Sequence, residues 1–302
     1  MLLCCVAQFL CDNRVVQLIL SSFDCDENIK AACSVELCYF CVQQLRKMAT
    51  DRSYWDMYEA YARRCNFREI FFSTLNNITS EFNFDSVKSC LAMGPGDGSL
   101  DITFIEKCTP NITKFVAVEH DHESAERLKV HLRKSLPDVE RLVIESDFNR
   151  WKGPSNPVDL VLAFHVLYRH NFSGSDGRRM LLKKVHDCWL TDGGFLAVLS
   201  AAPHLSKSPG NIFEISARLG EPITPWEDIE ADILDVGFIK QHARDIQFTR
   251  DYSNPDDDYL GFLQLIINQP ITLDDVRRAM KELYPNGKAQ GFHTLAVYKT
   301  AL

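Results

Sequence analysis

"CLAMGPGDGSLD", residues 90–101, closes a short apolar run with three glycines, a proline and two acidic residues. The apolar run predicts a strand and "DITFIEKC" after it a helix, so the glycines mark the turn between the two. In an open α/β sheet such a turn lies where ligands bind, and glycine lets the backbone approach a ligand closely. A dinucleotide fingerprint needs Gly-x-Gly-x-x-Gly, with a pyrophosphate on the helix N-terminus. Here the order is Gly94-Pro95-Gly96-Asp97-Gly98, and Ser99 stands where the third glycine would be. A carboxylate at Asp97 repels a pyrophosphate but not a ligand bearing an ammonium and a sulfonium. S-adenosyl-L-methionine is such a ligand, and Gly94 and Gly96 are its first expected contacts.

Outward from this turn, short continuous apolar runs alternate with helical patterns. "VKSCLAMG", "KFVAVE", "RLVIES", "VDLVLAFHVLY" and "GFLAVLSA" suit strands buried on both faces of a parallel sheet. Ala125, Leu128 and Leu132 share one helical stripe, and Leu181, Val185 and Cys188 share another. "TPWE", residues 224–227, offers Thr224 as N-cap, Pro225 at the first helical position and Glu227 to close a capping box. That helix stops at Gly237 and the strand "FIKQHARDIQFT" follows, then a helix from about Thr272 to Leu283 and a last strand, "FHTLAVYKT". Residues 50–82 read as an aromatic-rich helical cap. The order predicts a doubly wound, Rossmann-like α/β sheet that ends in an antiparallel pair, with the cap at its N-terminal side.

Composition narrows the partners. The 302 residues are 46% hydrophobic and carry a net charge of −8, with no basic block. That gives little electrostatic grip on nucleic acid or an anionic membrane. No apolar run reaches the ~18–20 residues of a membrane span. Seven of the eleven cysteines fall between Cys4 and Cys41, and Cys65, Cys90, Cys108 and Cys188 are scattered like ordinary buried residues. An odd, unpaired set argues against a disulfide scaffold and for a reducing, cytoplasmic setting. Cys33, Cys38 and Cys41 lie on one helical stripe without the paired spacing of a zinc site, so no metal is expected. Residues 1–47 form a Cys-rich extension of unassigned role, Met48 stands as an alternative start, and residues 48–302 form the working domain, expected to be a monomer.

Candidate site residues follow the predicted strand ends. Glu119, closing "KFVAVE", is placed to accept hydrogen bonds from ribose hydroxyls, as the acid of a dinucleotide site also is. In "ESDF", Asp147 suits an adenine amino group and Phe148 an adenine face. Phe164 and His165 stand at the rim of the fourth strand.

The pattern "LAMGPGDGSLDI … VAVEHDHESAE … VLAFHVLY … GFLAVLSA" resembles class I S-adenosylmethionine-dependent methyltransferases. Among them it is most similar to the family of histamine N-methyltransferase and its relatives, from about Tyr54 onward. The resemblance implies a seven-stranded methyltransferase sheet and methyl transfer to a nitrogen of a small amine or imidazole acceptor. It places Gly94, Glu119, the Asp147 region and Phe164 on the cofactor, and Tyr168 and His293 toward the acceptor. His165 and His293 are the candidate proton acceptors, since an unperturbed imidazole titrates near ~6.5. The chain also departs from that family. Arg63 stands where a helix glutamate holds the amine, His293 where the family has asparagine, and Arg169 where it has a second tyrosine. Arg63 or Arg169 suits an acceptor with a carboxylate, such as the histidine dipeptide carnosine. Transfer to oxygen stays open, because fold and cofactor loop are common to both. So does a non-catalytic protein of methyltransferase fold that binds a partner.

Overall fold

The computed structural model describes residues 53–79, 82, 84–167, 172, 174–202, 215–216, 218–219, 224–267 and 271–300. Its contacts divide the chain into Met1–Met57 and Tyr58–Leu302. The cysteines of residues 1–47, together with Tyr168 and Arg169, lie outside the described residues. No helix among the described residues is long and apolar enough to cross a membrane.

Two helices, α1 (Tyr54–Arg63) and α2 (Phe67–Ile78), precede the sheet. Then β1 (Ser89–Met93), α3 (Ser99–Cys108), β2 (Lys114–Glu119), α4 (His122–Ser135), β3 (Glu140–Glu145) and β4 (Val158–Phe164) alternate. After α5 (Gly174–Lys184) and a π-helical turn at Val185–Trp189 come β5 (Leu190–Ala201), α6 (Trp226–Asp235) and β6 (Ile239–Asp251). Helices α7 (Asp257–Ile267) and α8 (Leu273–Leu283) lead into β7 (Lys288–Lys299). The seven strands lie in the order β3-β2-β1-β4-β5-β7-β6. Strands β1 to β5 are parallel, and β7 runs antiparallel to both β5 and β6. The expected doubly wound sheet with an antiparallel strand at its end is therefore present.

Alternation along the central strands sends side chains to two cores. On one face, Cys90 and Ala92 of β1 pack with Phe71 and Leu75 of α2, Phe104 of α3 and Leu128 of α4. On the other, Leu91 and Met93 pack with Leu181 of α5 and Ile229 and Ile233 of α6. A third cluster joins α7 and α8 through Tyr259, Leu260, Leu263, Val276 and Met280 to Tyr252 and Ala289. At the free edge of β6, residues 64–66 close the end of the strand. Asn66 N–H donates to the Thr249 carbonyl at 3.3 Å, Asp251 N–H to the Arg64 carbonyl at 2.8 Å, and Thr249 N–H to Asn66 Oδ1 at 2.7 Å.

Local details depart from the sequence reading in four places. The helix after "TPWE" begins at Trp226 with Pro225 as N-cap, because Pro225 is extended at ψ 158° and delays the first helical residue. The stripe of Leu181 and Val185 does not continue to Cys188, which is exposed while Trp189 is buried. The wider π turn moves the inward position on by one residue. Strand β3 is the sheet's edge, so Leu142 is exposed rather than buried on both faces. Helix α7 was not expected at all, because "DDYLGFLQLII" is apolar almost all round and shows no helical period.

Truncating Phe104, fully buried between Phe84 and Phe164, to alanine should cost ~3–5 kcal/mol. Met180→Ala on the exposed face of α5 should stay within about 0.5 kcal/mol. Urea denaturation of both variants measures the contrast, and equal losses would refute the placement of this core.

Candidate functional site

The predicted turn is built from three left-handed residues, Gly94, Gly96 and Gly98, at φ 56°, 61° and 75°. At Gly94 a Cβ would lie 2.9 Å from Val166 Cγ1 and 3.4 Å from Phe148 Cε1, so glycine lets the segments that follow β3 and β4 close on this turn. Three N–H groups of the turn are already bonded. Gly96 N–H donates to Glu119 Oε2 at 2.9 Å, Gly98 N–H to the Pro95 carbonyl at 2.9 Å, and Ser99 N–H to Asp97 Oδ1 at 3.0 Å. Two of the three acceptors are carboxylates. The first N–H of the helix, one that could hold a phosphate, is thus taken by an acid from its own chain.

Glu119 is 4% exposed at the end of β2. Its other oxygen accepts from Asp121 N–H at 3.0 Å and lies 3.2 Å from His120 Nδ1. Burial, the strongest single influence, pushes the carboxyl up. The hydrogen bonds from His120, Asp121 and Gly96 together outweigh it, so Glu119 is held below the usual range and stays ionised. Asp101, in the first turn of α3, behaves in the opposite way. It is 2% exposed, its Oδ1 has no hydrogen-bond partner, and burial followed by the nearby Asp97 and Glu119 charges pushes it well above the usual value. Its own backbone N–H opposes that rise without reversing it.

Asp97 is less isolated than the sequence suggested. Arg68 of α2 places Nη2 3.7 Å from Asp97 Oδ2 and donates to Ser99 Oγ at 2.9 Å and to the Tyr58 hydroxyl at 3.0 Å. The helical cap therefore touches the turn through Arg68. The expected Arg63 is exposed in the last turn of α1, and none of the site contacts described here involves it.

The adenine candidates divide. Phe148 is buried against Gly94 and 6.3 Å, centroid to centroid, from Phe172. Asp147 is half-buried and accepts from Asn149 N–H at 2.9 Å, which fixes the bend after β3. Phe164 is buried on the opposite face of the sheet, edge-on to Phe71 and Phe104, and serves as core there.

Next along the same edge of the sheet, His165 follows β4 with φ 57°, one of two described non-glycine residues at positive φ. Its N–H donates to the Leu199 carbonyl at 2.8 Å, which ties this left-handed residue to β5. A non-glycine residue here costs energy and is held by its surroundings. Its ring lies 4.7 Å from that of His293 on β7, and Phe67 and Phe248 complete a cage around His293 at 4.4 and 4.7 Å. His293 is 6% exposed and its Nδ1 has no hydrogen-bond partner. Burial, then the neighbouring His165 and Arg250, hold its pKa well below 6.5, so the ring is neutral. The two predicted histidines are brought together.

Sequence reasoning missed Arg250, although a signal was there. In "DIQFTR", Ile246, Phe248 and Arg250 alternate inward on β6, so a charge sits on an apolar face. Arg250 is 4% exposed and its guanidinium lies 4.9 Å from the Tyr61 ring centroid and 5.1 Å from that of Phe248. Burial acts against its charge. The adjacent Tyr61, Tyr252, Cys65 and Tyr259 still raise its pKa well above the usual value. An unpaired buried charge costs several kcal/mol, and two cation–π contacts return only about 0.5–2 kcal/mol each.

A further group of ligand-type side chains, His122, Glu126 and Glu145, lies on the surface within 4.8 Å of one another. Lys129 Nζ bonds to Glu126 at 2.7 Å and to Glu145 at 2.9 Å, so the group is an exposed ion-pair network.

No family model matches the sequence, and no curated protein matches it. Solved structures do match the fold. A Bacillus halodurans protein described as a "putative methyltransferase" superposes with a TM-score of 0.54 at 11% identity, covering 76% of this chain and 99% of its own. The YcgJ protein of Bacillus subtilis gives 0.53 at 11% identity, with the same two coverages. Strand order and superposition together give the chain the Rossmann-like methyltransferase fold.

Asp101 provides a direct check on this edge. Its pKa is raised above the unfolded value of 3.8. As pH rises past that value the unfolded chain releases a proton that the folded one keeps, so this group's contribution to stability falls. Asp101→Asn, which does not titrate, should therefore melt higher than wild type near neutral pH. The difference should shrink toward about pH 4. A variant less stable than wild type at neutral pH would show instead that the carboxylate makes a bond the fold needs.

Proposed function

We propose that the chain is an S-adenosyl-L-methionine-dependent methyltransferase acting on a nitrogen of a small amine or imidazole compound, histamine-like or histidine-dipeptide-like. The observation that carries this reading is the self-bonded turn. With the Gly96 and Ser99 N–H groups given to Glu119 and Asp97, a pyrophosphate loses two donors it would use, while a ligand with an ammonium and a sulfonium meets ionised Glu119 and the acidic side chain of Asp97. The residues fit that cofactor. Glu119 has the charge and position for the ribose, the bare Cα of Gly94 leaves room for close approach, and Phe148 with Asp147 borders the adenine side. Bound there, the cofactor supplies a methyl group already activated on sulfur.

The chain's own part is to hold the acceptor, align it and keep water out. Phe67, Phe248 and the two histidine rings pack as one aromatic cluster, and in this reading its rim receives a flat heteroaromatic or amine acceptor. His293, kept neutral, has a ring nitrogen free to take the proton that a nucleophilic nitrogen must lose. His165 stands between His293 and the turn, since its neighbour Val166 packs on Gly94. Residues 48–302 are the working domain in this reading, and residues 1–47 play no part in chemistry.

Two measurements test it. Glu119→Ala should weaken S-adenosylmethionine binding by ~1.5–3 kcal/mol in calorimetry, and unchanged affinity in a folded variant rejects the cofactor site. His293→Asn should lower kcat by roughly 10²-fold at an unaltered cofactor Kd, assayed with labelled cofactor over amine, imidazole and phenol acceptors. Label passing to phenols alone would make oxygen the acceptor atom.

A further inference from the structure

Arg250 is a buried guanidinium without a carboxylate partner among the described residues, and its Nε and Nη1 have no hydrogen-bond partner. The groups beside it are Tyr61, Tyr252, Tyr259 and Cys65. Burial raises the pKa of both Tyr252 and Tyr259, so their hydroxyls stay protonated and supply no countercharge. The side chain is held in this state by structure on three sides. Its backbone pairs with Ala289 on β7 and bridges to Cys65 on the other side of the strand. The Phe248 ring fills the step between it and His293, at 5.1 Å from the guanidinium and 4.7 Å from the histidine ring. Gly291, opposite Phe248, makes room for that ring, because a Cβ there would fall 2.4 Å from it.

We propose that Arg250 is a specificity-determining residue that binds a carboxylate of the acceptor, one aromatic ring away from the nitrogen held at His293. This inference rests on the methyltransferase reading and narrows it. The unbonded Nε–H and Nη1–H groups of the guanidinium are donors of the kind that carboxylate oxygens accept from. One positive charge, with His293 neutral, answers a monoanion better than a phosphate dianion. The spacing across Phe248 asks for an acceptor whose nucleophilic imidazole or amine and whose carboxylate lie at opposite ends of a short chain. A cationic amine lacking the carboxylate would leave the guanidinium unpaired and place a second cation nearby. The role that sequence gave to Arg63 or Arg169 thus falls to Arg250.

The test uses the full chain without added cofactor and two probes of one length, imidazole-4-propionate and imidazole-4-propionamide, titrated by calorimetry. Wild type should bind the carboxylate at least tenfold tighter than the amide. Arg250→Met, similar in length and uncharged, should abolish that preference, and Arg250→Lys should keep part of it. Thermal melts of the same proteins separate a binding role from a structural one. Removing an uncompensated buried charge should leave Arg250→Met as stable as wild type or more so, and adding the carboxylate probe should raise the melting temperature of wild type alone. A wild type that binds both probes equally or neither overturns the proposal. So does an Arg250→Met protein that melts lower and keeps the preference. Failure of S-adenosylmethionine to bind is a separate result, which would remove the methyltransferase reading and leave the carboxylate preference standing or falling by itself.

Discussion

The hydrogen bond from Gly96 N–H to Glu119 fixes much of what this edge of the sheet can do. It joins the turn after β1 to the end of β2, across 23 positions of sequence. The bond consumes the donor that a phosphate would use and keeps the acid ionised despite burial, against the cost that a low-dielectric site imposes on charge. Ser99 N–H, bonded to Asp97, repeats the arrangement one turn further along. A common scaffold for binding anions is thereby made suitable for a ligand carrying positive charge, without a change in strand order or in the helix that follows.

The second constraint is the period of a strand. Ile246, Phe248 and Arg250 fall on one side of β6 because every second residue must, and their partners on β7 are His293, Gly291 and Ala289. The row grades from aliphatic to aromatic to cationic toward the end of the strand. Its inner end belongs to the same apolar cluster as Leu295 and Val297. The polar end is therefore delivered by the packing that stabilises the sheet. Tyr61 of α1 and Phe67 of α2 then cover Arg250 and His293 with rings. The cap and the sheet share residues instead of meeting at a separate surface.

Much of this was legible in the sequence. Continuous apolar runs marked the central strands, and the glycine spacing with Asp97 marked the turn. Glu119 closes β2 and His165 follows β4, at the strand ends that the apolar runs marked. What escaped had physical causes. Period alone does not reveal α7, which is apolar on all sides. The π turn before β5 shifts the inward position from Cys188 to Trp189, and no residue type announces such a turn. Phe164 sits at the end of its strand as expected, but which face it takes depends on strand parity and on the aromatic neighbours that α2 and α3 bring. Arg68 and Arg250 carry no motif that marks them in the sequence, and their places depend on how α2 and β6 pack. Alternation within "DIQFTR" is the signal in the sequence that Arg250 faces inward.

The closure of β6 by residues 64–66 bears on which part of the sheet's margin a second strand could reach. A seven-stranded sheet has two open margins, each a row of backbone donors and acceptors that a second chain can zip onto. At β3 that margin carries exposed Glu140, Arg141 and Glu145, and pairing would force these charges together or strip their water. At β6 the outer half carries exposed Lys240, Gln241 and Asp245. The inner half, where the buried Arg250 lies, has its backbone groups bonded to the chain's own residues 64–66. The stretch most harmful to expose is the one already taken, so this short connection leaves the buried end of β6 without a free backbone margin at Thr249 and Asp251.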